Sequence, residues 1–327
     1  MRKGLFVEHL LVAVALLGVL AAGGRAGATE PLAPLAPPPI QPAGLVELGR
    51  ALFHDLRLSG DGTVNCAHCH PLARGGVDGL PVSLGVKARR GVANAPTVYN
   101  LAGQIAYFWD GRAATLEDLV LEGPLQNPNE MDTNWEEVLA KLGRDAALER
   151  RFRELFPRDG LTARNVARAI AAFLRSLVTL DSPFDRWLRG DRTALDERQI
   201  EGYRLFRSYG CVACHQGANV GGNLFAVVGV MADFFSERNR PESPVDQGRF
   251  NVTGNEADRH VFKVPSLRLV TFTAPYFHDG SVKTLDEAVV IMGRYQLGRE
   301  IPAQERRDIV AFLRSLAGRH PLLEATR

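Results

Sequence analysis

Cys66-Ala67-His68-Cys69-His70 and Cys211-Val212-Ala213-Cys214-His215 decide how this chain is read. Each is a C-x-x-C-H stretch, the pattern that attaches a c-type haem. Two thiols form thioether bonds to the macrocycle and the histidine becomes the proximal iron ligand. The 327 residues contain four cysteines, and these two stretches use all of them. One copy alone is compatible with chance or with half of a zinc site. Two copies with no cysteine left over predict two covalently attached c-type haems, through Cys66 and Cys69 and through Cys211 and Cys214. His70 and His215 are then the iron ligands. What occupies the far side of each iron separates an electron relay from a catalyst.

Working outward, the segments around the two stretches repeat. Gly49-Arg50-Ala51-Leu52-Phe53 precedes the first and Gly202-Tyr203-Arg204-Leu205-Phe206 the second. Tyr107-Phe108-Trp109-Asp110-Gly111 matches Tyr276-Phe277-His278-Asp279-Gly280, and Thr115-Leu116-Glu117 matches Thr284-Leu285-Asp286. Each half closes on Ala-Phe-Leu-Arg-Ser-Leu, at 172–177 and 311–316. Val166, Ile170, Phe173, Leu174 and Leu177 recur at helical spacing. Strand signals are sparse, with Val227-Val228-Gly229-Val230 at most a turn or a brief ribbon. These patterns predict an all-α fold of two cytochrome c-like helical haem domains related by internal duplication and joined by long loops. The expected domains are 43–188, around the first haem, and 189–327, around the second.

Residues 1–28 read as a cleaved signal peptide. Arg2 and Lys3 are followed by an apolar run, Leu10 to Ala22, and by Ala26-Gly27-Ala28. The run is shorter than the ~20 residues of a membrane span, so no retained span is expected. Export fits the haems, whose attachment is completed outside the cytoplasm, and points to the periplasm. The proline-dense stretch 29–42 reads as an extended arm. The leader holds three basic residues and one acidic one, so the mature chain is formally neutral. It lacks the basic footprint of a nucleic-acid binder.

The repeat informs most where it fails. Met292 follows Thr284 by two helical turns, where a thioether could face the second iron. It is either a sixth ligand or an ordinary core methionine, and the recurrence of His/Met haems favours ligation. The matching place in the first half is Gly123-Pro124, and neither residue binds iron. No histidine lies between His70 and His215, which leaves Lys87 and Met131 as formal candidates. The economical expectation is an open or water-bound first iron. Glu130, in the adjacent loop, reads from sequence alone as a solvated surface charge, with proton transfer between peroxide oxygens as the other reading.

Residues 75–78, 94–97, 108–113, 262–268 and 273–280, with both haem stretches in order, make the chain resemble the bacterial di-haem cytochrome c peroxidases. The resemblance covers essentially the whole mature chain. It implies that His215 and Met292 ligate an electron-donating haem and His70 a peroxidatic one. It implies that Trp109 bridges the haems and that Phe108, Pro124 and Glu130 line the distal pocket. It further implies one calcium ion bound by oxygens of Asn94, Thr273 and Pro275. Its substrate would be hydrogen peroxide and its donor a small cytochrome c or copper protein (cupredoxin). A homodimer is carried over by the resemblance alone. Two departures stand out: Val86 occupies the place of a displaceable histidine, and a pocket glutamine is replaced near Leu119.

The leading expectation is therefore a periplasmic peroxidase. The alternative is an enzyme similar to the di-haem maturases of methylamine dehydrogenase, oxidising aromatic residues of a partner protein. That branch also lacks the distal histidine but has a tyrosine where Met292 stands. A plain two-haem electron carrier is the third reading, and it requires both irons to be six-coordinate.

Overall fold

Gly49 and Gly202, at equivalent places in the repeat, each mark a close helix crossing in the computed structural model, which describes residues 30–238 and 240–324. The predicted leader lies outside those residues. Helix α1 (Ala43–Phe53) crosses α5 (Ala163–Ser176), and a methyl group on Gly49 would overlap the carbonyl of Ala169. Helix α7 (Glu197–Ser208) crosses α9 (Ala303–Ser315), and a methyl on Gly202 would overlap the carbonyl of Asp308. Between them run α2 (Leu116–Glu122), α3 (Trp135–Leu142), α4 (Ala146–Leu155), α6 (Pro183–Leu188) and α8 (Leu285–Ile291). Single-turn helices and long loops complete the chain. The sheet described is one antiparallel ribbon, β1 (Phe225–Val227) paired with β2 (Val261–Lys263), with Phe225 opposite Lys263. Helix is the main regular structure, and strands are few. No helix among the described residues is long and apolar enough to cross a membrane.

Helix starts follow from local chemistry. Thr115 opens α2 and Thr284 opens α8, each with a reciprocal capping box closed by Asp118 or Glu287. Such a cap satisfies amides that the first turn leaves free. Phe108 and Phe277 take the same unusual backbone, with φ of 64° and 69°. Each sits in a loop closed by an antiparallel bridge, Tyr107 to Ala113 and Tyr276 to Val282.

Apolar burial concentrates in two large clusters. The first gathers Leu48, Leu52, Phe53, Phe152, Ile170, Phe173 and Leu174, on α1, α4 and α5. The second gathers Phe184, Tyr203, Phe206, Ile309, Phe312 and Leu313, on α6, α7 and α9. Phe184 thus packs with the second cluster, although 188 was the expected end of the first domain. The chain ends cross over. Leu32, from the proline-rich arm, is buried in the second cluster and bridges to Gly217, just past His215. Leu323, near the C-terminus, is buried in the first, and its one-turn helix lies against Leu72–Arg74, just past His70.

Candidate active site

The first C-x-x-C-H stretch forms one helical turn, Cys66–Cys69, capped by the Asn65 side chain, which accepts the amide of His68. His70 follows directly, its amide donating to Cys66 O at 2.9 Å. Its Nδ1 is 3.0 Å from Gly76 O, and burial lowers its pKa, so the ring is neutral with Nε2 left to bind. His215 is built the same way. Its Nδ1 is 3.3 Å from Val220 O and burial pushes it down to about 4. A backbone partner on one ring nitrogen is how metal-ligating histidines are oriented. None of the four cysteines is paired in a disulfide. Burial pushes Cys66 up to about 12 and Cys69 and Cys211 to about 11.

These residues fit two c-type haems. The thiols are spaced for thioether attachment and unpaired, and each histidine keeps one nitrogen for iron. Phe108, Leu119 and Leu121, like Cys66 and Ala67 of the first stretch, pack on the first core cluster yet stay only partly covered. A side chain on Gly221 would overlap the Pro265 carbonyl and lie 3.3 Å from His215 Nδ1, so glycine keeps that side of the ring clear.

The two matching helix ends of the repeat differ. In the second half, α8 passes into a π-helical segment, Met292–Gln296, that begins at the half-buried Met292. Such π segments recur at functional sites. In the first half, α2 stops at Gly123, whose φ of −100° and ψ of −115° turn the chain away. A methyl on Gly123 would lie 2.7 Å from the Phe108 ring. Pro124 O then accepts the Met131 amide at 3.2 Å, closing the loop that carries Glu130.

Glu130 Oε1 accepts a hydrogen bond from Asn127 Nδ2 at 2.7 Å. Burial raises its pKa, opposed by the Arg112 charge and by Asn127. The Arg112 guanidinium lies 3.5 Å from the centroid of the Phe108 ring. Val86, 1% exposed, donates its amide to Glu130 O at 2.9 Å. The loop that would carry a displaceable histidine is thereby tied to the glutamate loop. Both formal ligand candidates have other occupations. Lys87 Nζ is 3.7 Å from Asp132 at the surface, and Met131 is buried in the first cluster.

Trp109 Nε1 donates to Asn94 O at 2.9 Å, and its ring meets His278 edge-on at 6.5 Å. Asn94 Nδ2 donates to Leu80 O and Pro81 O at 3.0 and 3.3 Å, and Asn94 N to His278 O at 2.8 Å. Thr273 Oγ1 donates to Val270 O, and Pro275 follows a cis bond. A methyl on Gly79, beside Leu80, would be 3.9 Å from Ala274 O, so the segments carrying Asn94 and 273–275 share one loop cluster.

Sequence reasoning did not anticipate the buried group behind Trp109. His278 Nε2 is 2.6 Å from Asp246 Oδ1, and Arg238 and Arg240 pair with Asp246 and Asp279. Asp246, His278 and Asp279 lie close enough to hold a metal, but the two arginines already balance their charge. The one hint in the sequence was His278 at the repeat position of Trp109.

The family model for di-haem cytochrome c peroxidase matches residues 43–193. Cytochrome c551 peroxidase of Nitrosomonas europaea is 43% identical over 95% of this chain and 91% of its own length. Cytochrome c peroxidase Ccp of Escherichia coli is 49% identical over 88% of this chain, which spans 61% of that longer protein. A solved MauG-like protein associated with microbial copper homeostasis superposes with a TM-score of 0.78 at 28% identity, over 90% of this chain and 97% of its own. The chain belongs to the di-haem cytochrome c peroxidase family.

Proposed function

We propose that this protein reduces hydrogen peroxide to water in the periplasm, with electrons from a small cytochrome c or a cupredoxin. The observation that carries the proposal is the contrast between the two helix ends. Met292 closes one, while Gly123-Pro124 and the half-buried Glu130 border the other. Similarity to a protein named cytochrome c551 peroxidase over 95% of this chain supports it. So does the repetition of capping boxes, positive-φ phenylalanines and glycine crossings, which we read as two cytochrome c-like units, 43–188 and 189–327, born of duplication.

Cys66, Cys69 and His70 would hold the haem that meets peroxide, and Cys211, Cys214, His215 and Met292 the one that receives electrons. The bound irons supply one-electron chemistry that side chains lack. The polypeptide contributes proton handling and insulation. Glu130 takes a proton from the inner peroxide oxygen and delivers it to the outer one as the O–O bond breaks. Asn127 holds the carboxylate in place, and Phe108 and Pro124 keep bulk water from that side. Two protons and two electrons convert one peroxide to two waters. Trp109, fixed through Asn94 O, lies on the route between the halves. Asn94, Thr273 and Pro275 supply the oxygen type that calcium prefers, and we assign one calcium ion to their loop cluster.

The test is peroxide-dependent oxidation of reduced cytochrome c or cupredoxin by purified protein with both haems attached. Failure with every small donor overturns the proposal. Val86 favours a second reading, oxidation of aromatic side chains on a partner protein, and Met292 opposes it. Mass spectrometry of a co-expressed partner, showing a covalently altered aromatic alongside slow small-donor turnover, would favour that reading instead.

A further inference from the structure

Lys263 is a half-buried cation without an acidic partner among the described residues. Its Nζ donates to Gln104 Oε1 at 2.6 Å. Burial alone pushes it down to about 8, with no neighbouring charge contributing. A half-buried ammonium without a counter-charge is costly, and buried charges are ordinarily paired. The neutral amide of Gln104 satisfies one donor and leaves the charge uncompensated.

Its position says where the missing anion lies. The Lys263 amide donates to Trp109 O at 2.9 Å. The next residue, Val264, exchanges hydrogen bonds with the loop after His215: Gly222 N donates to Val264 O at 2.8 Å, and Val264 N to Leu224 O at 3.0 Å. Leu267 N donates to Val220 O, whose carbonyl also orients the His215 ring. Gly222 packs on Gln104 as well, since a methyl there would be 2.9 Å from its Cγ. The segment that carries Lys263 therefore lies between the Trp109 segment and the His215 loop, and its ammonium reaches Gln104, on which Gly222 of that loop packs.

We propose that Lys263 is the counter-ion of a propionate on the haem attached through Cys211 and Cys214, fixing that edge of the macrocycle and raising its reduction potential. This rests on the di-haem reading above. Each haem brings two carboxylates into the protein, and Lys263 is a half-buried cation placed to receive one. A positive charge beside the macrocycle favours the reduced iron, which carries one positive charge fewer.

The experiment is spectroelectrochemical titration of holoenzyme carrying Lys263→Met, Lys263→Gln or Lys263→Arg. Glutamine can still hydrogen-bond Gln104 without the charge, so the test stands if the methionine variant does not fold. The expected result is a roughly tenfold shift toward oxidation at the Met292-ligated haem in the neutral variants, equivalent to about 59 mV for one electron. Arginine should restore it, and the other haem should not move. A pure packing role would neither shift the potential nor be rescued by arginine. Unchanged potentials, or a shift confined to the other haem, overturn the assignment. A pyridine haemochrome count separates the two failures: fewer than two haems in the wild type overturns the di-haem reading itself.

Discussion

Glu130→Gln should separate chemistry from stability at the first haem pocket. Burial raises the carboxyl pKa in the folded protein, against the opposing pull of Arg112 and Asn127. Between the unfolded and folded values the native state binds more protons than the unfolded chain, so stability falls as pH rises through that window. Above it, the ionised carboxylate is a standing cost to the fold. Glutamine removes the charge and keeps an oxygen to accept from Asn127 Nδ2, now at 2.7 Å. The loss is the charged part of one hydrogen bond, about 1 kcal/mol. Stability at neutral pH should therefore change little or rise.

Activity should fall sharply. A positioned proton relay contributes about 10²–10⁴-fold, which is about 2.7–5.4 kcal/mol at 1.36 kcal/mol per tenfold. The relay needs the carboxylate form to accept the first proton. Wild-type kcat/KM should thus decline on acidification through a value above that of an ordinary glutamate, and the variant should lack that limb. The assay is peroxide-dependent oxidation of reduced cytochrome c across roughly pH 4 to 8, a range that brackets the ordinary glutamate value, with thermal unfolding measured on the same samples. A variant retaining activity within about threefold, less than 1 kcal/mol, or keeping the acid limb, would refute the role of Glu130.

Three further outcomes are expected. Val86→His returns a ligand to a position whose amide is already tied to Glu130 O. Electron paramagnetic resonance of the resting enzyme should lose high-spin ferric signal, at an overpacking cost of about 1–3 kcal/mol; an unchanged spin state contradicts the pocket mapping. Arg268→Met strands Asp185, whose side chain is fully buried and 2.9 Å from the guanidinium. Denaturant unfolding should show a loss of about 3–5 kcal/mol, partly recovered when Asp185→Leu is added, and an unchanged midpoint would refute it. Gly202→Ala places a methyl 2.5 Å from the Asp308 carbonyl carbon and 3.0 Å from Phe312 Cβ. Forcing α7 from α9 should cost about 1–3 kcal/mol, and wild-type stability in that variant would show the crossing to be loose.

The haem attachment residues were legible because covalent attachment demands a local motif: two thiols and a histidine must share one turn of chain. Met292 and Gly123 were legible through comparison of the chain with itself. The capped helix starts at Thr115 and Thr284 set both residues at the same offset. Contacts between distant segments left no such trace. Lys263 and Gln104 are 159 residues apart, and His278 and Asp246 are 32 apart, so no periodicity links them. The burial of the arm's leucine left no trace for another reason. Its prolines read as an extended linker, and one leucine, Leu32, anchors it in the second cluster. Lys87 and Met131 stayed open as ligands until the structure placed one beside Asp132 and buried the other.

The seating of Leu32 and Leu323 bears on the proposal that Val86 leaves the first pocket without a displaceable histidine. Domains joined by a short linker move relative to one another unless a large apolar interface prevents it. Here a leucine near each end of the described residues is seated in the cluster belonging to the opposite half. Leu32 reaches the second and Leu323 the first, and full burial of each leucine contributes about 1.5–3 kcal/mol. Arg268 reinforces the first of these ties, donating to Ala33 O and to Ser182 Oγ while paired with Asp185 on α6. Separating the halves means withdrawing both ends at once and exposing a buried ion pair. A gated enzyme needs loops that release on a signal. This chain instead ties the Val86 loop to Glu130 and holds Trp109 through Asn94 O. A pocket with no ligand to expel gains nothing from motion between the halves, and a Trp109 route between them depends on their staying fixed.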